Sequence, residues 1–276
     1  MTSKKIQIVA DSAADLPKDI VEEYGITVVP LSVSHEGETF QDGDLTLSEL
    51  LERMHRSRHL PQTSQPAPGE FLEVFNHLAD AGPILCLTIS EKLSGTIQSA
   101  RLAGTMTEAD VDVFDTEVAT LAEGAQVIRA AQLAREDRTR DEIIAYLEEY
   151  RKSQRAYPAF ISLTNLVKGG RLPQWKGRIA EFFNVRVLGE NRDGAIEVLE
   201  KVRGTDQLFA RLMERFRQEA VDVEDRIIGI SHADNLKWAR WLAEQVAPFN
   251  PRDIVIGEMG AVIATHAGPG SVVLGV

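Results

Sequence analysis

The chain has 276 residues, 43% hydrophobic and 26% charged, which is typical of a soluble globular protein with one large or two ordinary domains. Its net charge of −12 makes the molecule as a whole repel nucleic acid, and no nucleic-acid partner is expected. A single cysteine, Cys86, excludes an internal disulfide and a cysteine-based zinc site. There is no apolar run long enough for a spanning helix and no signal-peptide pattern, so we expect a cytoplasmic protein.

In the first part of the chain, short apolar runs alternate with amphipathic segments, which predicts a parallel sheet covered by helices on both faces. We expect strands at 6–10, 27–34, 84–89 and 111–114, and helices at 20–24, 45–55, 70–80, 120–136 and 140–154. The segment 60–71 contains prolines and a glycine that disfavour both helix and strand. Thr63 and Ser64 are therefore expected on irregular backbone.

The pattern changes near Tyr157, where we place a boundary between two α/β domains, residues 1–156 and 157–276. The second domain is expected to contain strands at 159–164, 183–190, 195–204, 226–231 and 253–259, and helices at 205–219 and 235–246. Residues 191–194 read as a hairpin turn because Asn and Gly tolerate positive φ. His266 is expected to follow a strand and to be held by the Gly-Pro-Gly turn after it.

Ser94 lies in ISEKLSGTIQSA (89–100), where a strand gives way to a helix, a common position for ligand sites in α/β proteins. Three roles are open for it. The hydroxyl caps the helix, or it binds an anion together with the free N–H groups of the first turn. In the third role it is a nucleophile, with His266 and Asp115 completing a triad. The Gly-x-Ser-x-Gly elbow of hydrolases is absent because Lys92 occupies its first position.

Other chemistries find little support in the sequence. Neither a phosphate-binding loop nor a dinucleotide fingerprint occurs. His55 and His59 have ligand-like spacing, but they lie at an arginine-rich helix end that solvation explains, so no metal is expected. The stretch 168–178 carries four basic residues and no acidic one. Charge alone leaves a solvated loop and an anion-facing patch equally open for that stretch.

Five segments carry a family resemblance when they are taken together and in order. They are DSAADLP (11–17), TSQPAPGEF (63–71), SEKLSGTIQSA (90–100), LVKGGRLP (166–173) and THAGPGSV (265–272). This pattern resembles the DegV family of bacterial fatty-acid-binding proteins, and the resemblance covers essentially the whole chain. LSGTIQSA, KGGR and HAGPG are its most specific parts.

The resemblance implies a Rossmann-like three-layer N-terminal domain with a parallel sheet and a second, two-layer α/β domain with a mixed sheet. It implies a long-chain fatty acid in an apolar tunnel between and within the two domains, and no cofactor. Its carboxylate would be bound by Thr63, Ser94 and His266. Ser64, Gly95 and Thr96 would lie in the neighbouring loops, and Arg171 and Arg203 would face a phosphoryl group or a kinase.

By the same resemblance the protein is a non-catalytic partner. It would present the fatty acid to a separate ATP-dependent fatty acid kinase and carry the acyl-phosphate to phospholipid synthesis. Transient membrane contact would involve the apolar helix at 70–80. The alternative is a stand-alone enzyme on the same scaffold, either an acyl-ester hydrolase or a phosphotransferase using Ser94.

The sequence departs from the family pattern at three places. Glu91 stands where a second serine is usual, which is expected to put a carboxylate near the bound headgroup. Thr164 and Asn165 replace an acidic and aromatic pair in front of KGGR. The segment 182–190 lacks the usual proline and gains an arginine, so the tunnel floor is expected to differ there.

Overall fold

In the computed structural model the residues described are 5–57, 59–172, 185–219 and 223–276. The strands are β1 (Gln7–Asp11), β2 (Thr27–Val29), β3 (Ser32–His35), β4 (Glu38–Gln41), β5 (Gln62–Ser64), β6 (Ile84–Thr88), β7 (Val111–Asp115), β8 (Ala156–Phe160), β9 (Arg186–Arg192), β10 (Ala195–Val202), β11 (Ile227–His232), β12 (Asp253–Glu258) and β13 (Val272–Gly275). The helices are α1 (Lys18–Tyr24), α2 (Leu47–Arg56), α3 (Pro68–Leu78), α4 (Thr96–Thr105), α5 (Leu121–Arg135), α6 (Arg140–Ser153), α7 (Thr164–Lys168), α8 (Thr205–Glu219), α9 (Leu236–Val246) and α10 (Ala261–Ala267).

The first sheet is parallel throughout and has the strand order β2-β1-β6-β7. Alternate side chains of its strands point to opposite faces. Val9 and Cys86 pack with the aromatic residues of α3 on one face, and Ile8 and Leu85 pack with α5 and α6 on the other. This is the expected Rossmann-like three-layer arrangement, built on near-continuous apolar runs.

A small antiparallel sheet, with the order β4-β3-β5, was not predicted. The prediction of a single strand over 27–34 was wrong. Pro30 has no N–H to donate to a ladder, and β2 ends at the residue before it. The prediction of irregular backbone at Thr63 was wrong as well, because Thr63 lies in β5 and pairs with Val33 of β3.

The third sheet is mixed and has the order β10-β9-β8-β13-β11-β12, in which only the β11–β12 pair is parallel. Helices α8 and α9 cover its outer face with a large apolar cluster, so this part is the expected two-layer unit. The hairpin turn is shorter than predicted. Strand β9 continues to Arg192, and Asp193 and Gly194 alone form the turn, with φ of 48° and 81°.

The first two sheets use strands that end by Asp115, and the third uses strands that begin at Ala156. On this basis we propose a domain division near Tyr157, as in the two ranges 1–156 and 157–276. This division falls one residue inside β8, because Ala156 is the first residue of that strand.

The segment that contains His266 is a helix, α10, and not the predicted strand. Its β-branched and small residues resemble a strand in sequence, but its N-terminus has partners from the first domain. The Asp15 Oδ1 atom accepts a hydrogen bond from the Gly260 N–H at 2.8 Å, and Asp42 Oδ1 accepts from the Val262 N–H at 3.3 Å. These carboxylates supply the acceptors that the free N–H groups of a helix start require. His266 therefore lies in the last turn of α10.

The two domains meet where the first turn of α5 crosses the inner face of the third sheet. The Leu121 N–H donates to Ser231 Oγ at 2.9 Å. A Cβ atom on Gly275 would lie 2.7 Å from the Cβ atom of Ala122, and one on Gly229 would overlap the Leu121 carbonyl. Only glycine permits this close approach of backbone to backbone.

Helix α3 does not present an apolar stripe to solvent, contrary to the expectation for a membrane-contacting helix at 70–80. Phe71 and Phe75 are fully buried against the first sheet. Within the described ranges of the chain, no helix combines the length and the apolar composition that crossing a membrane requires.

Candidate functional site

A cavity lies between the inner face of the third sheet and the loops that follow β6 and β7. Most of its walls are apolar and come from both domains, including Leu31, Ile89, Phe160, Leu166, Ile196 and Val273. The carboxyl ends of parallel strands are the usual place for a ligand in such a fold.

Thr63 and His266 meet at this cavity although 203 residues separate them in the chain. The Oγ1 atom of Thr63, in β5, lies 2.8 Å from Nε2 of His266, in the last turn of α10. Strand β5 is positioned by its pairing with β3, and α10 by the carboxylates at its N-terminus. The small sheet and the helix thus bring one polar group from each domain together.

The His266 ring is neutral at physiological pH. Burial lowers its pKa to about 3, and the positive charge of Arg171 contributes to the same shift. Its Nδ1 atom is buried without a hydrogen-bond partner and faces Gly169, where a Cβ atom would overlap it. Residue 169, in KGGR, is therefore a glycine because the His266 ring occupies the space that a side chain would need.

Ser94 lines the cavity just before α4. Its Oγ atom lies 2.9 Å from Oγ1 of Thr96, and the helix begins after Gly95 with no side-chain cap. The interpretation of Ser94 as a plain helix cap is therefore wrong.

The proposed nucleophilic triad is not assembled either. The His266 ring has Thr63 as its hydrogen-bond partner and no carboxylate at Nδ1. The Asp115 carboxylate accepts hydrogen bonds from the backbone N–H groups of Glu117 and Glu91. Without an imidazole oriented by an acid, Ser94 lacks the base that a serine nucleophile needs.

Arg171 provides a positive charge at the cavity. Its Nε–H donates to the Leu93 carbonyl at 3.2 Å, and one terminal N–H donates to the Gly169 carbonyl at 2.8 Å. Burial lowers the pKa of its guanidinium. Within the described parts of the chain no carboxylate pairs with Arg171. A half-buried guanidinium with remaining donors and no counter-ion fits an anionic ligand.

The remaining predicted residues are distributed as follows. Ser64 lines the cavity beside Thr63, whereas Thr96 is buried in the first turn of α4. Gly95 lies under the side chain of Gln65, which a Cβ atom would displace. Arg203 is exposed after β10 and does not line the cavity.

Two of the family departures have a structural outcome. Glu91 is exposed and pairs with Arg101 at 3.8 Å. The expectation that its carboxylate lies near the bound headgroup was wrong, because Glu91 does not line the cavity. The Asn165 side chain donates to the Thr265 carbonyl at 3.0 Å and so links α7 to α10. Residues 173–178 of the basic stretch and 182–184 of the third departure lie outside the described residues.

The histidine pair with ligand-like spacing does not share a helix face, because α2 ends at Arg56 and His59 lies beyond it. In the portion of the chain that is described, no group of three or more His, Cys, Asp or Glu side chains could hold a metal ion.

Sequence reasoning missed three cavity residues. Gln65 also belongs to the TSQP segment, and its Nε2 atom donates to Ser99 Oγ at 2.9 Å. Thr120 and Asn191 line the cavity between the two domains. Neither belongs to a recognisable motif, and only the packing of α5 and β9 brings them to the cavity.

The fold and the site define a two-domain α/β protein with an interdomain apolar cavity and polar side chains at its mouth. The family model described as "Uncharacterised protein, DegV family" matches residues 5–276. A DegV domain-containing protein of Streptococcus pneumoniae is 35% identical over 273 residues, which cover 96% of this chain and 95% of that protein. The chain therefore belongs to the DegV family.

Solved structures agree with this membership. A DegV family protein of Thermus thermophilus, described as binding fatty acid, has a TM-score of 0.92 at 30% identity and covers 98% of each chain. DegV of Bacillus subtilis, described as a fatty acid binding protein, has a TM-score of 0.88 at 29% identity and covers 99% of each chain. A DegV family protein of Eubacterium eligens was solved loaded with heptadecanoic acid, at a TM-score of 0.86 and 25% identity, covering 98% of each chain.

The pKa of His266 is a direct test of the site's electrostatics. In the lipid-free protein we expect imidazole NMR signals of His266 to titrate at about pH 3. Arg171→Met should raise this pKa, because it removes the second cause of the shift, but should leave it below the usual 6.5 because burial is the larger cause. Arg203→Met is the matched control and should leave the pKa unchanged. A His266 that titrates near 6.5 in the unaltered protein would contradict the described burial.

Proposed function

We propose that this protein binds a long-chain fatty acid, with the acyl chain in the interdomain cavity and the carboxylate at Thr63, Ser94 and His266. The observation that carries the proposal is the arrangement of the cavity itself. Its walls are mainly apolar, and two hydroxyls, a neutral imidazole and a guanidinium that no described carboxylate pairs with lie at one region of it. An amphiphile with one anionic end matches that distribution.

The acyl chain supplies most of the binding free energy. Each buried methylene contributes ~0.8 kcal/mol, so the ~14 methylenes of a palmitate-sized chain give about 10 kcal/mol before ordering costs. A few polar donors are then sufficient to fix the orientation of the ligand.

The polar groups have complementary roles toward the carboxylate. With its proton on Nε2, the neutral His266 donates to Thr63 Oγ1 and frees the Thr63 hydroxyl proton for a carboxylate oxygen. The Ser94 hydroxyl is a second donor, and it exchanges its contact with Thr96 for the ligand. Arg171 contributes the positive charge that the neutral groups lack.

The relatives support this proposal, because the Thermus thermophilus and Bacillus subtilis proteins are described as fatty acid binding and cover nearly the full chain. Ser94, His266 and Asp115 each have other hydrogen-bond partners and form no triad, which favours a binding protein over a hydrolase. We therefore propose a carrier in the cytoplasm and not a catalyst.

The finer proposal is that a separate ATP-dependent fatty acid kinase phosphorylates the bound carboxylate, and that the protein carries the acyl-phosphate to phospholipid synthesis. Arg203 directly follows Val202, the last residue of β10, and Val202 pairs with Arg186 at the start of β9. The next residue of β9, Val187, pairs with Phe160 at the end of β8. Arg203 thus lies at the same end of the third sheet as α7 and the loop of Arg171. Two guanidinium groups at that end suit an incoming phosphoryl group and its kinase.

Loss of a headgroup donor should weaken binding without changing the fold. We expect Thr63→Val and Ser94→Ala each to raise the Kd for palmitate by about tenfold to a hundredfold, because each removes a hydrogen bond to a charged acceptor. Thr105→Val, at an exposed threonine of α4, is the matched control and should keep the wild-type Kd.

Calorimetric titration of delipidated protein measures these constants, and native mass spectrometry with lipid extraction identifies any C14–C18 fatty acid that co-purifies. A wild-type protein that takes up no fatty acid in titration would contradict the proposed function.

The kinase proposal has a separate test. Loaded with palmitate and mixed with a bacterial ATP-dependent fatty acid kinase, the protein should support ATP consumption. Arg203→Gln should reduce the rate about tenfold or more, because a charge-assisted contact to the kinase or phosphoryl group is lost, with an unchanged Kd for palmitate. Arg138→Gln, another exposed arginine, is the control. No ATP consumption with loaded wild-type protein would contradict the kinase role and leave fatty-acid binding standing.

A further inference from the structure

Two residues of the cavity wall carry buried polar atoms away from the predicted headgroup site. They are Oγ1 of Thr120 and Oδ1 of Asn191, and both atoms are buried without a hydrogen-bond partner. Buried polar groups in proteins almost always have a partner, so two orphaned atoms in the wall of one ligand cavity need an explanation.

Both residues lie at the opposite end of β8 from His266. The ring of His266 contacts Gly169, just after α7, which follows the Phe160 end of the strand. Asn191 of β9 pairs with Ile196 of β10 on one side. On the other side β9 runs antiparallel to β8 with Val187 opposite Phe160, and four residues further along this register Asn191 lies opposite Ala156. Four residues of strand span roughly 13 Å.

Thr120 also lies near the Ala156 end of β8. It precedes the first turn of α5, whose Ala122 packs on Gly275, and Gly275 pairs with Ala156. The Asn191 side chain reaches the same segment, because its Nδ2 atom donates to the Glu117 carbonyl at 2.6 Å.

The backbone of Thr120 adds an independent observation. Its φ of 62° and ψ of −154° lie in a region that is essentially restricted to glycine. A β-branched residue is strained there, and glycine would relieve that strain. The side chain is 96% buried, as its exposed fraction is 4%, and it lines the cavity. The strain is compatible with a role for the Thr120 hydroxyl, which glycine could not supply.

The orientation of the Asn191 amide is settled by its partner. Because Nδ2 must face the Glu117 carbonyl, Oδ1 is left as a pure acceptor. The Thr120 hydroxyl can donate or accept. Together the pair offers one donor and one acceptor, which is what a hydroxyl group requires. A ketone would satisfy Thr120 alone and leave Asn191 Oδ1 without a donor.

We propose that Thr120 and Asn191 form a polar subsite at the Ala156 end of the cavity for a hydroxyl group on the acyl chain, so that the ligands include mid-chain hydroxy fatty acids. This inference rests on the proposed fatty-acid binding. In the bound state the ligand O–H donates to Asn191 Oδ1, and the Thr120 O–H donates to the ligand oxygen. With an unsubstituted chain, the two atoms stay unpaired or share a water molecule.

The test compares stearate, 2-hydroxystearate, 10-hydroxystearate and 12-hydroxystearate by calorimetric titration of delipidated protein. We expect wild-type protein to prefer a mid-chain hydroxystearate over stearate. Thr120→Val keeps the β-branched shape and removes the hydroxyl, so the preference should fall by about tenfold. Thr120→Ser should retain it. Asn191→Leu should lower it by a similar factor, and it serves as a second variant if Thr120→Val does not fold.

Two ligands serve as internal controls. The hydroxyl of 2-hydroxystearate lies beside the carboxylate, so the ratio of its Kd to that of stearate should be the same in the wild type and in both variants. In the wild-type protein, 12-oxostearate should bind less tightly than 12-hydroxystearate. If stearate binds wild-type protein but the variants leave every ratio unchanged, the subsite is refuted and the fatty-acid site stands. If neither stearate nor its hydroxy derivatives bind, the proposed function itself fails.

Discussion

The close approach of α5 to the third sheet determines how the rest of the molecule is arranged. Gly229 and Gly275 leave no Cβ atoms on that part of the sheet, so the first turn of α5 packs directly on backbone. Beside this contact, Ala156 and Phe160 on the inner face of the same sheet line the cavity. The tight contact and the cavity are therefore neighbours on one face of the sheet.

The charges around the cavity follow a second constraint, namely that buried groups stay neutral or paired. His266 is neutral because burial and Arg171 both lower its pKa. Arg171 is itself half-buried and has only backbone carbonyls as acceptors among the described residues. A bound carboxylate would complete this arrangement, since it supplies the anion for Arg171 and the acceptor for Thr63.

The sequence predicted the parallel sheet and its covering helices, because apolar periodicity depends only on neighbouring residues. The mixed second sheet was expected from the family resemblance. It did not predict the small sheet that carries Thr63, since Pro30 interrupts an apolar run and the strands are short and polar. Helix α10 was mistaken for a strand because its capping carboxylates, Asp15 and Asp42, are distant in sequence. Ser94 and His266 were singled out from their positions in the sequence, but their joint role with Thr63 as carboxylate ligands came only from the family resemblance. Residues such as Asn191 acquire significance only from packing.

The most direct measurement is a crystal structure of the protein with stearate bound. The account predicts one extended acyl chain in the interdomain cavity, its carboxylate within hydrogen-bonding distance of Thr63 and Ser94 and its methyl end toward Ala156. A chain bound in the reverse direction, or a fatty acid bound outside this cavity, would contradict it.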